Sequence, residues 1–142
     1  MLRNIKQSDK GLIQDIQDVG CLFLCFAQVS PLVFEDDEGR KALNKIWKEA
    51  KNKGYISPAN IIMNHNKLAN EFFALDVRYD DKHHGAEETI PPSVLYVFGK
   101  YTYNYSHFVV LNKNKEVIFD SYGTSNTVKY GKLESTRWYY AV

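Results

Sequence analysis

Cysteine is scarce in this chain: Cys21 and Cys25 are the only two in 142 residues, and they stand one helical turn apart in sequence. A disulfide framework needs partners far apart along the chain to close useful loops, so none is expected. Histidine is hardly more plentiful. His65, His83, His84 and His107, taken with the two cysteines, spell no zinc-ligand spacing, and neither a metal nor an organic cofactor is expected. The formal net charge is +1 with no basic face evident in sequence, so nucleic-acid binding has no electrostatic support. No apolar run approaches the roughly 20 residues that span a bilayer. Met1 to Lys10 lacks an apolar signal core, so any export would use another route. The expectation is a soluble chain with free thiols in a reducing compartment, the cytoplasm. Repeats, low-complexity segments and linkers are also missing. A single domain over 1–142 is expected, with 1–12 as a polar N-terminal arm.

What is present is a globular balance, 44% hydrophobic and 25% charged residues. Aromatic content is 14%, with 10 tyrosines, which suits strands and an aromatic-lined cleft as well as an ordinary core.

From Cys21 the run Leu22, Phe23, Leu24, Cys25, Phe26, Ala27 is apolar on nearly every side, as in a helix covered all round, and Pro31 closes it. Residues 37–53 predict a second helix. There Leu43, Ile46, Trp47 and Ala50 recur at helical spacing while Lys45, Lys48, Glu49 and Lys51 face water, and Gly54 stops it. Ser57-Pro58 reads as an N-cap and first-turn proline, opening a third helix broken near Asn64-His65-Asn66. After Asp76 the period changes. Val77 to Tyr79 predicts a short strand, Asp80 to Thr89 a charged loop, and Val94 to Gly99 a buried strand. His107 to Leu111 and Glu116 to Ser121 predict two more strands, joined by the polar turn Asn112 to Lys115. Gly123 and Gly131 bracket a turn pair before a terminal strand at Arg137 to Ala141. Tyr101, Tyr103 and Tyr105 alternate and so share one strand face. Helices first and an antiparallel sheet after define an α+β chain, N-terminal helices packed on a C-terminal sheet.

One constellation could carry chemistry. A thiol attacks a carbonyl as thiolate, a form favoured by a helix N-terminus and a neighbouring imidazolium. Gly20-Cys21 stands where a polar segment gives way to the apolar helix. His107 could supply the imidazole, and imidazole needs a group that orients its ring. Asp120 lies around the Asn112 to Lys115 turn from His107, close to opposite it. An oxyanion needs donors: the Cys21 amide, and a side-chain amide upstream, either Gln14 or Gln17.

With Gln…Gly20-Cys21 and its helix, then His107-Phe108-Val109-Val110, then Ile118-Phe119-Asp120-Ser121, the chain resembles the papain-like cysteine peptidase fold. It is most similar to bacteriocin-processing (double-glycine) peptidase domains and related bacterial and prophage proteins. The resemblance spans roughly 12–140 and implies Cys21 as nucleophile, His107 as base and Asp120 as orienting residue. It puts Gln14 at the oxyanion, with Gln17 the alternative. Leu22 stands where the processing peptidases commonly carry glycine. The implied activity is hydrolysis of a peptide or amide bond in a peptide or protein substrate, with a peptidoglycan peptide as one substrate class. A binding module on the same scaffold, or an acyltransferase or deamidase using the same triad, is the alternative. Cys25 is expected to pack in the core, and His83-His84 beside Asp80-Asp81 to lie in a solvated loop rather than a metal site.

Overall fold

The computed structural model describes residues 1–142. It divides into two compact units, Met1–Asp76 and Val77–Val142, meeting in sequence where the hydrophobic period changes. The chain is α+β: helices dominate the first unit and an antiparallel sheet the second. No helix is long and apolar enough to cross a membrane.

The first unit runs β1 (Leu2–Arg3), α1 (Gln14–Val19), α2 (Cys21–Val29), β2 (Phe34–Glu35), α3 (Asp36–Asn52) and α4 (His65–Phe73). In α2 the consecutive residues Phe23 to Ala27 are all buried, as its unbroken apolar sequence requires. The amphipathic α3 buries Gly39, Leu43, Trp47 and Ala50, and its first turn carries Asp36, Asp37 and Glu38 at the helix's positive end. Phe23 joins these elements, its ring meeting Trp47 edge-on at 5.1 Å and Phe73 at 5.3 Å.

The polar arm is tied down. Leu2 and Arg3 pair in parallel with Phe34 and Glu35, Ile5 and Leu12 are buried, and Arg40 grips Asp9 at 3.0 Å. The side chain of Asn44 accepts from the Ile13 amide at 2.9 Å and donates to the Gly11 carbonyl at 2.8 Å. Lys51, expected to face water, instead donates to Asn60 at 2.5 Å and pairs with Asp15.

Ser57-Pro58 opens a turn and not a helix. The Asn60 amide donates back to the Ser57 carbonyl at 2.9 Å, Ser57 Oγ accepts from the Ile61 amide, and Asn60 is left-handed at φ 66°. Proline after a hydroxyl residue serves a β-turn as well as a helix start, and the left-handed Asn60 decides between them. The helix begins at His65, where the Asn64 side chain accepts from the Lys67 amide.

The second unit runs β3 (Val77–Tyr79), β4 (His84–Gly85), β5 (Val94–Tyr103), β6 (Tyr105–Leu111), β7 (Val117–Phe119), α5 (Asn126–Tyr130) and β8 (Lys132–Ala141). Its sheet has the order β3-β8-β5-β6-β7, with β4 also pairing β8. Val97, Val109, Leu111 and Trp138 form the core of one face, with Val128 of α5 packed against it. Gly123 and Gly131 therefore bracket a short helix, too brief for any periodicity to announce. Tyr105 does not continue the strand of Tyr101 and Tyr103. The chain reverses at Asn104, left-handed at φ 51°, so Tyr105 pairs across the hairpin with Tyr103.

Between β6 and β7 the register slips. Leu111 pairs Val117 but Val110 pairs Phe119, so Ile118 is an extra, bulged residue. Were Ile118 paired in the ladder and not bulged, Asp120 would extend opposite Phe108 and project from the face away from His107. With the bulge, Asp120 falls on the His107 face, diagonal to the histidine, and Tyr122 comes nearly opposite.

Candidate functional site

Cys21 is the first residue of α2 and is half-buried; Cys25, one turn on, is fully buried, and neither is in a disulfide. The junction before Cys21 is one residue long. Gly20 closes α1, its amide donating to the Ile16 carbonyl at 2.8 Å, and opens α2, its carbonyl accepting from Leu24 at 2.9 Å. A β-carbon on Gly20 would stand 2.5 Å from the Ile16 carbonyl oxygen, so only glycine fits between the helices. The tight turn sets the thiol at the head of a helix whose first-turn amides have no intrahelical acceptors.

In the sheet unit, His107 Nε2 stands 2.8 Å from Asp120 Oδ1, and both side chains are buried. Asp120 is held from every side by its own loop. Its Oδ1 accepts from the Tyr122 amide at 3.0 Å and its Oδ2 from the Ser125 amide at 2.9 Å. Its carbonyl accepts from Gly123, which sits in the left-handed region at φ 84°. Burial pushes the Asp120 carboxyl up, but the hydrogen bonds from His107, Ser125 and the Tyr122 amide outweigh it and hold the group well below the usual carboxylate range. An ionised Asp120 fixes the His107 hydrogen on Nε2 and makes Nδ1 the basic nitrogen. The Tyr122 ring tilts beside the imidazole at 5.1 Å.

The upstream glutamines separate by environment. Gln14 is exposed and donates to Asp18 at 2.8 Å; Gln17 donates to the Leu12 carbonyl at 2.7 Å. The buried glutamine is Gln7, at 1% exposure, whose side-chain amide donates at 3.2 Å to the Gln17 carbonyl in the last turn before Gly20-Cys21. Sequence reasoning missed it because it lies in a polar stretch, in a turn between buried Ile5 and Leu12.

His84 is not in a solvated loop. It is buried, stacked on Trp138 with ring centroids 3.4 Å apart, its Nε2 on Asp80 at 2.7 Å and its Nδ1 on Glu88 at 3.2 Å. No group of three or more His, Cys, Asp or Glu side chains is arranged to hold a metal ion.

Fold and site together define an α+β chain with a thiol at a helix head in one unit and a buried histidine–carboxylate pair in the other. It belongs to the family described as Protein of unknown function, DUF261, whose model matches residues 1–141. No curated protein and no solved structure matches it.

Proposed function

We propose that this protein is a cysteine hydrolase of papain-like fold that cleaves a peptide or amide bond with Cys21, His107 and Asp120. The observation that carries the reading is the buried His107–Asp120 pair, because a histidine oriented by a shielded, ionised carboxylate is costly to bury and is the arrangement a general base needs. Cys21 at the head of α2 supplies the matching nucleophile.

In this mechanism His107 Nδ1 takes the thiol proton and Cys21 Sγ attacks the carbonyl carbon. The Cys21 amide and the Gln7 side chain stabilise the oxyanion; Gln7 replaces Gln14 and Gln17 in that role because it is buried beside the turn that precedes the thiol. The tetrahedral intermediate expels the amine, which leaves with the proton from His107. Water, deprotonated by His107, then attacks the thioester, releasing the acid and restoring the thiol. Substrate is a peptide or protein, a peptidoglycan peptide included, and the working compartment is a reducing one, the cytoplasm.

The test is alkylation with iodoacetamide, followed by mass spectrometry, beside turnover of peptidoglycan peptides. Cys21 is expected to label far faster than Cys25, and His107→Ala to slow that labelling at least tenfold. Cys21→Ala should abolish turnover with the fold intact. A Cys21 that labels like an isolated thiol, indifferent to His107→Ala, overturns the assignment. Product analysis distinguishes hydrolysis from acyl transfer.

A further inference from the structure

The face of the sheet that carries His107 continues outward as a row of exposed tyrosines. Tyr105 is two residues before His107 on β6 and so points to the same side, and its cross-strand partner Tyr103 lies beside it. Tyr103 in turn meets Tyr130 of α5, ring centroids 5.9 Å apart. Tyr105, Tyr130 and Tyr103 are 65%, 59% and 42% exposed, an unusual outlay of large rings on one edge.

Beside Tyr105 opens a pocket of about 360 Å³, lined by Tyr105, Tyr122, Thr124, Ser125, Asn126 and Thr127. That volume is within the range of small-ligand sites. Tyr122 is the same ring that leans on His107, so this ring links the pocket to the histidine. Its lining has no charged side chain and no aliphatic one of any size. A phosphate or carboxylate would find no cation in its lining; Lys129, outside it, lies over the Tyr130 ring at 5.2 Å. A purely apolar side chain would desolvate the exposed Thr124 hydroxyl and Asn126 amide, whereas the buried Ser125 hydroxyl already bonds Val128 and Asp120.

We propose that this row is a carbohydrate-binding platform, the tyrosine faces stacking on sugar C–H faces while Thr124, Asn126 and the phenols exchange hydrogen bonds with sugar hydroxyls. Neutral, flat on one side and rich in paired donors and acceptors, a saccharide matches each property of the lining. The placement deepens the hydrolase reading, and rests on it for this point alone: the bond cleaved at His107 would belong to a peptide attached to a glycan.

The probe is the β-1,4-linked trimer of N-acetylglucosamine, titrated into the full chain while backbone amide resonances are recorded. Shifts are expected at 103–107 and 122–127. Tyr105→Ala and Tyr130→Ala should each weaken binding about tenfold, the scale of a lost aromatic contact, while Tyr105→Phe keeps most of it. No shifts at millimolar trimer, or affinity that survives both alanine variants, overturns the platform. So does a single-stranded oligonucleotide that competes as well as the trimer does. Cys21→Ala should bind the trimer like the parent chain. An unreactive thiol with binding intact thus sinks the hydrolase alone, and a reactive thiol without binding sinks the platform alone.

Discussion

Gly20 and Ile16 touch with no room to spare: the glycine's amide is bonded to the isoleucine carbonyl, and a β-carbon would approach that same oxygen to 2.5 Å. Because the obstacle is backbone, the helices must part to admit even a methyl group. Gly20→Ala is expected to cost about 1–3 kcal/mol, the range for forcing a close-packed junction. It should also slow alkylation of Cys21 by moving the head of α2. Urea melts and labelling rates check both, and an unchanged pair of values would mean the junction is slack.

Asp120 makes stability depend on acid. Its carboxyl is held below the ordinary range, so the ionised form is favoured by folding. Its contribution is fully present above the unfolded value of about 3.9 and is lost as pH falls from there through the folded value. The parent chain should therefore lose stability below about pH 4 more steeply than Asp120→Asn, which has no such proton to bind. At neutral pH the same variant should lower turnover roughly a hundredfold or more, the scale of a misdirected general base. Parallel acid denaturation curves for the two proteins would count against the buried ionised pair.

Gln7, Gln14 and Gln17 can be ranked by single replacements. Gln14→Ala, on an exposed face, should leave stability within about 0.5 kcal/mol and turnover unchanged. Gln7→Ala removes a buried donor from the Gln17 carbonyl and should cost about 1–3 kcal/mol. If Gln7 serves the oxyanion, kcat should fall about a hundredfold with little change in KM. An effect confined to stability would leave Gln7 as a structural clasp.

His84 is wedged between Trp138 and two carboxylates, and Glu88 is held below its usual range by His84 first and the Gly85 amide second. His84→Ala should cost about 1–3 kcal/mol through the uncovered indole and the lost partner of Asp80 Oδ2. Trp138 fluorescence should shift red as water reaches the ring. A change in Cys21 chemistry is not expected, and finding one would draw His84 into the site.

Much of this was legible beforehand, and the exceptions share causes. Leu43, Trp47 and Ala50 announce α3 because one helix face must be apolar over several turns. The period change at Asp76 marks the unit boundary because strands and helices bury different spacings. Ser57-Pro58 misleads because one dipeptide suits two local structures, and the choice rests with Asn60. The burial of Gln7 and His84 was hidden for another reason: polar residues reveal their partners only once distant segments come together. The nearness of His107 and Asp120 was readable from their spacing, but its true register was not, since a simple hairpin would have pointed Asp120 the other way.

That last point gives Ile118 a peculiar status. It is 62% exposed, and its side chain does nothing that the buried pair requires. Yet its exclusion from the ladder sets the parity by which Asp120 reaches the histidine. A saturation scan should find Ile118 indifferent to almost every amino acid. Its deletion should be tolerated as well, because Val117 and Phe119 would then continue a regular ladder that still sets Asp120 opposite Val109. What the strand has to keep is the pairing of Phe119 with Val110, a property of register that no side chain at 118 encodes.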